Sequence, residues 1–349
     1  MHQILMCGSE LSVKGGMVSV IKNYIGYEYW NDIKITYIPT HIEKNKFLLI
    51  TFFGFSFLRI VFAIMLRRIK IAHLHTAERG SFYRKAFLVQ ILKKMGIKTI
   101  LHHHGAEFEL FYANLSTQKK QYVNYILELT DLNIVLSERL IPMIRDKAPK
   151  AKVRVLYNAV TTYKLNPYNT NAKDILFLGR LGKRKGVYDL LEAIKCLDNK
   201  IPTDIRFYLC GDGEVEKVKS TVKTLGIEHR IAYIGWIDSS QKEKIGKQIM
   251  INVLPSYNEG LPMTILETMA RGIPNISTNI ASIPEVLHNE ENGLLISPGD
   301  IKALTDSLHN LISDEVLRSK FSKSSYDLIA KRFSLDSNIK QLKDIYRTL

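Results

Sequence analysis

Cysteine is scarce: 349 residues hold only Cys7, Cys196 and Cys210, and none sits in a Cys-x-x-Cys pair. An odd, scattered set excludes a disulfide framework and fits a reducing compartment. No His-Glu-x-x-His and no Cys/His quartet occurs, so the usual zinc signatures are absent. RNP, KH and zinc-finger patterns are missing too, which argues against nucleic acid as a partner despite a net charge of +15. There is no repeat, low-complexity tract or coiled-coil heptad. The opening HQILMCG lacks a charged n-region and reads as a first strand rather than a cleavable leader.

Acid is short in the first half. Residues 1–150 carry 21 Lys and Arg against 11 Asp and Glu. Within 59–98, ten cations face a single acid, Glu78. Such a cluster suits either a polyanionic partner, an anionic membrane among them, or a solvated basic face.

What is present is an alternation. Short apolar runs such as IAHLHT, KTILHHH, DILFLG and MINVLP alternate with 3.6-periodic spans such as VYDLLEAIKCL and VEKVKSTVKTL. That pattern predicts βαβ units and parallel sheets. At 349 residues two domains are expected. The polar stretch 158–172 predicts their boundary: residues 1–160 form one domain, 171–330 the second, and 331–349 a terminal helix.

The run 47–66, FLLITFFGFSFLRIVFAIML, holds one charge, Arg59, and RRIK extends it to residue 70. Its length would cross a bilayer. Crossing there would split one parallel sheet between two sides of the membrane, which excludes a span. Two readings remain: a fully buried helix, or an in-plane membrane helix with basic flanks. The cationic cluster favours the second.

Three loops follow predicted strands. GRLGKRKG at 179–186 places Arg180 and Lys185 at a strand's carboxyl edge, where cations suit a diphosphate. It is no Walker A loop, since no Ser or Thr follows the lysine. SVKGGMVSV sets Gly15 and Gly16 before a helix whose amides can face an anion. LHHHGAEFE ends a strand in His102, His103 and His104. Adjacent histidines alternate faces, so they cannot share one metal; a single one at the tip, His104, could touch substrate, with His75 ending the neighbouring strand.

The sharpest stretch is NEGLPMTILETMARGIPNIST, 258–278. Glu259 lies in a loop and Glu267 inside the following helix, with Pro262 suited to its first turn. Amides near Gly260 and Leu261 favour phosphate. Carboxylates there would repel it unless they accept hydrogen bonds from sugar hydroxyls. The two acids are therefore expected to read hexose and ribose at either end of a phosphate cradle.

Together these residues resemble the retaining glycosyltransferases of family 4. The resemblance runs over nearly the whole chain: the Gly-Gly loop, HHHGAEF, YNAV at 157–160, GRLGKRKG, CGDGE at 210–214, the Glu-x7-Glu pair and IPEVL…ENGLLISPGD. It implies the α/β GT-B fold, with two Rossmann-like parallel-sheet domains facing across a cleft and the terminal helix returning to the first. It implies that Arg180 and Lys185 hold the donor diphosphate, Glu259 the transferred sugar and Glu267 the ribose. Gly260, Leu261 and Pro262 supply the adjoining turn, Gly15 and Gly16 approach the donor, and His104 lies near the transferring sugar. No metal or cofactor is implied, since Asp-x-Asp is absent and cations with a helix dipole replace it. Ala281-Ser282 stands where the family often has Gly-Gly.

The expected reaction moves a hexose or N-acetylhexosamine from a nucleotide sugar, UDP-linked by family habit. The expected acceptor is a polyprenyl-diphosphate-linked saccharide in bacterial surface polysaccharide synthesis. It would be met on the inner face of the cell membrane by His75, Tyr83, Arg84 and Lys85. The alternative within the same chemistry is a soluble acceptor.

Overall fold

A computed structural model describes residues 2–349. Its twelve strands form two six-stranded sheets, parallel throughout. Two compact units contain them: Met1–Asn158 with Leu335–Leu349, and Ala159–Ser334.

The first unit holds β1 (His2–Gly8), β2 (Ile33–Pro39), β3 (Ile71–Thr76), β4 (Lys98–His103), β5 (Leu132–Val135) and β6 (Val153–Val155), in the order β2-β1-β3-β4-β5-β6. β3 is buried at every residue. Burial on both faces explains why its sequence is a continuous run rather than an alternation. The terminal helix Leu335–Thr348 packs into this unit. It buries Asn338, Ile339, Leu342, Ile345 and Tyr346, the spacing of one helix face. Asn338 donates to the Tyr157 carbonyl at 2.6 Å, and the Tyr346 hydroxyl meets His73 Nδ1 at 2.6 Å.

The second unit holds β7 (Asp174–Leu178), β8 (Phe207–Cys210), β9 (Ile231–Gly235), β10 (Ile249–Leu254), β11 (Asn275–Thr278) and β12 (Gly293–Ile296), in the order β12-β11-β10-β7-β8-β9. The chain reverses its direction of travel between β7 and β10. In open parallel sheets the carboxyl ends on either side of such a switch point form the ligand crevice.

Two details of the chain differ from the sequence expectation. The polar stretch after Asn158 is fastened to the second unit rather than free. Tyr168 donates to the Met250 carbonyl at 3.1 Å, Asn166 to Ser322 Oγ at 2.9 Å, and the Tyr163 carbonyl accepts from Tyr326 at 2.7 Å. Second, the terminal helix begins at Leu335, because residues to Arg332 continue the preceding helix, Glu315–Arg332.

The apolar run forms one helix, Lys46–Arg67, capped by the Asn45 side chain, which accepts from the Leu48 amide at 3.0 Å. The fully buried alternative does not hold. Only Ser56, Ile60 and Ala63 are buried, while Phe53, Phe57 and Ile64 lean on the core. Phe47, Ile50, Phe55, Leu58, Phe62, Met65 and Leu66 are all more than 60% exposed. The helix is long and apolar enough to cross a membrane by length and composition alone.

Candidate active site

The loops leaving β7 and β10 are laced together. Gly186 takes φ +72°, and a side chain there would collide with the Pro255 carbonyl. Only glycine lets the Lys183–Lys185 turn lie this close to the end of β10. The Tyr257 amide donates to the Arg184 carbonyl at 2.9 Å, and the Arg184 guanidinium to the Asn258 carbonyl at 3.1 Å. A glycine-tolerated contact on the other side serves β8: the Gly179 amide donates to the Cys210 carbonyl at 2.9 Å, and a side chain on Gly211 would strike the Gly179 carbonyl.

This lacing joins Lys185 to Glu259. Their side chains form a salt bridge, with Glu259 only 5% exposed. Glu259 also accepts from Ser256 Oγ at 2.7 Å. A buried carboxylate is tolerable when an ammonium and a hydroxyl satisfy it. The arrangement holds the lysine where a second anion can reach it. Arg180, from the same loop, is exposed.

Gly260, Leu261 and Pro262 are buried and lead into the helix Met263–Ala270, whose first turn carries no acid and whose N-cap supplies no side-chain acceptor. Thr264 Oγ1 donates to the Leu178 carbonyl at 2.9 Å, fixing that helix start on the end of β7. Glu267 is half-buried and accepts from Lys242 at 2.8 Å. The two acids thus have separate cationic partners. Lys242 and Ser256 were not foreseen; nothing in SQKEKIG or PSYNEG distinguishes them from solvated residues. Ala281, at the position where glycine was expected, holds φ +45°. The loop thus keeps a left-handed backbone without the residue that favours it.

In the first unit, Gly15 takes φ +137° and caps the helix Gly16–Ile25, whose first turn has no acid. Both glycines are exposed.

His75 and His102 are register partners on β3 and β4. His73, His75, His102 and His104 share one face of the sheet, and His103 takes the opposite face, meeting Asn133 Oδ1 at 3.1 Å. His73 Nε2 lies 3.1 Å from His102 Nδ1, and His75 Nδ1 lies 2.8 Å from His104 Nε2. Adjacent residues alternate faces as expected, but the neighbouring strand supplies His73, which was not singled out. His73, His75 and His102 bring ring nitrogens within 4.8 Å of one another, a metal-compatible spacing. The His73 and His75 rings are stacked, only 17° apart in plane. In-plane lone pairs on stacked rings run alongside one another rather than converging on one ion. Burial pushes His73 and His104 down to about 3 and His103 to about 4, with His75 and His102 well below the ordinary value. All five are neutral near pH 7.

Among the expected acceptor contacts, Lys85 requires correction. It is 1% exposed, so it cannot meet a membrane-borne group at the surface. Its Nζ donates to Thr40 Oγ1 at 2.7 Å, at the end of β2. Tyr83 and Arg84 are half-buried and His75 is buried.

Residues 164–328 match the family model described as "Glycosyl transferases group 1". A solved structure of HepE from Anabaena in complex with UDP-glucose superposes with a TM-score of 0.78 at 16% identity, covering 100% of both chains. The UDP-Gal:alpha-D-GlcNAc-diphosphoundecaprenol alpha-1,3-galactosyltransferase of Escherichia coli is 26% identical over 79% of this chain and 74% of its own. The N-acetyl-alpha-D-glucosaminyl L-malate synthase of Bacillus anthracis is 24% identical over the same shares, 79% and 74%. Matches span only 49–62% of several other curated relatives. The second unit belongs to the group 1 glycosyl transferases, and the chain has the two-unit GT-B architecture of that class.

Proposed function

We propose that this protein is a retaining, metal-independent glycosyltransferase that takes a hexose or N-acetylhexosamine from a UDP-sugar and passes it to a lipid-linked saccharide. One observation carries the reading: the buried Lys185–Glu259 pair at the switch point between β7 and β10, beside Arg180 and an acid-free helix start. In this reading Arg180 and Lys185 hold the diphosphate and stabilise the leaving group. Glu259 accepts from hydroxyls of the transferred sugar. Gly260, Leu261 and Pro262 form the turn beside it, Glu267 takes the ribose, and Gly15 and Gly16 contact the donor. His104 touches sugar. We assign no enzyme nucleophile; the leaving phosphate receives the acceptor's proton on the face from which it departs.

The lipid-linked acceptor is supported by two things. The helix Lys46–Arg67 exposes an apolar face beside the cations Arg67, Arg68 and Lys70. The E. coli relative's name states a diphosphoundecaprenol acceptor. Its place is then the inner face of a bacterial membrane, in surface polysaccharide synthesis, with Tyr83 and Arg84 toward the acceptor; His75, fully buried, cannot touch it.

Calorimetry with UDP- and GDP-hexoses tests the donor. Binding of one UDP-sugar is expected; no heat with any of them rejects the assignment. Glu259→Ala and Arg180→Ala should each lower transfer at least ~10²-fold, since each removes a charged contact to the transition state. Turnover near wild type in either would refute its role.

A further inference from the structure

The histidine face also carries a hydrogen-bond direction. His75 is fully buried, and its Nε2 has no partner among the described residues. A buried N–H without an acceptor costs more than a buried lone pair without a donor, and orphaned donors are the rarer of the two in proteins. The proton of neutral His75 therefore belongs on Nδ1, which lies 2.8 Å from His104 Nε2. His104 Nε2 must then accept, and the single proton of neutral His104 sits on its Nδ1. His104 is only half-buried, unlike His73, His75 and His102, which leaves its Nδ1–H as the donor of the cluster able to meet a ligand.

The second pair in the stack obeys the same logic independently. His102 Nε2 is buried without a partner, which puts the proton on Nδ1, donating to His73 Nε2 at 3.1 Å. His73 Nδ1–H then donates to the Tyr346 hydroxyl at 2.6 Å. All four rings take one tautomer, and both pairs agree.

We propose that His75 is a positioning residue: by donating to Nε2 of His104, it fixes that ring as the Nδ1–H tautomer, which presents a hydrogen-bond donor to an oxygen of the bound sugar substrate. The inference rests on the proposed function for the identity of that oxygen, but not for the tautomer. It also limits the chemistry. A neutral ring whose outward nitrogen already carries hydrogen is no base, so the acceptor's proton goes elsewhere.

The test is 15N spectroscopy of histidine-labelled protein together with steady-state kinetics. The wild-type protein should show His104 with a protonated Nδ1 and a bare Nε2. In Asn, the amide nitrogen lies as many bonds from Cα as Nδ1 does in His. His75→Asn should therefore keep the tautomer and stay within a few-fold of wild type in kcat/KM. His75→Gln and His75→Phe, which lack a donor at that position, should release His104 to a mixture and lose about 10- to 100-fold, the value of one hydrogen bond. A protonated Nε2 on wild-type His104 overturns the proposal, as does an unchanged tautomer in His75→Phe. Should the Phe and Gln variants fail to fold, the wild-type spectrum and the Asn variant decide. Absence of transfer by the wild type would count against the proposed function alone, since the spectra are read without substrate.

Discussion

Lys85 shows what single residues disclose and what they hide. Its place in a cationic cluster was plain from the chain, and the cluster suggested a surface. Which face of the helix Gly80–Lys94 it occupies depends on β1 and β2, brought in from far along the sequence, so burial was illegible. The consequence is electrostatic. Burial first, and then Arg84, hold its ammonium down to about 7, against only a weak opposing pull from the Cys7 thiol. The unfolded chain keeps the ordinary value near 10.5. Between pH 10.5 and 7 the unfolded state binds more protons, so stability drops as pH falls through that window and is flat below it. Lys85→Met removes the charge and keeps the volume. It should therefore be more stable than wild type at pH 6, by an amount on the order of a few kcal/mol, with the gap closing toward pH 10. Denaturant midpoints from pH 6 to 10 measure this; a constant offset would show that the ammonium is not what destabilises. Glu259 is the opposite case. The Glu-x7-Glu spacing singled it out, but Ser256 and Lys242, the partners of the two acids, carry no local signal.

At the scale of the element, the helix Lys46–Arg67 was legible in place and length because apolar runs need no tertiary knowledge. Its exposure was signalled only by the neighbouring cations, since a run apolar on all sides has no outward face to read. β12 was missed for a related reason: GLLI is too short to separate from a loop, and only pairing with β11 makes it a strand. The exposed side chains give a measurable consequence. Each apolar group inserted at the headgroup boundary adds to binding, and each nearby cation adds about 1 kcal/mol on anionic lipid. The wild-type protein is expected to pellet with phosphatidylglycerol-rich liposomes at low salt and progressively less as salt rises. A triple change of Phe47, Phe55 and Phe62 to Asp should abolish pelleting and leave UDP-sugar binding within about twofold, because those rings support nothing. Ile60→Asp places a charge in the core instead and should lower stability by several kcal/mol. Equal pelleting of the triple variant would show that this helix is not the membrane contact, and absence of the wild type from the pellet at every salt concentration would reject the membrane reading and favour a soluble acceptor.

For the molecule as a whole, two parallel-sheet units were legible from alternating strand and helix patterns. Their seam was less so, because polar residues 159–172 look like a linker until Tyr168 and Asn166 are seen bonded into the second unit. The units also differ in a way the composition conceals: neutral buried histidine is concentrated in the first. His73 and His104 are held near 3 and His103 and His41 near 4, mainly by burial, against about 6.5 unfolded. The unfolded state takes up protons as pH drops below 6.5 and the folded state does not, so stability falls from there toward the folded values. The lowered carboxylates of the second unit, Asp198 and Glu243 among them, release stability only as pH falls through and below the ordinary carboxylate range. Between about pH 6.5 and 5 the loss should therefore be confined to the first unit. Amide exchange at pH 7 and pH 5, corrected for its intrinsic pH dependence, should show faster opening in β3, β4 and the terminal helix that holds Tyr346 against His73. β7 and β10 should change little. Equal acceleration in both units would mean that the acid response is not set by the histidine face.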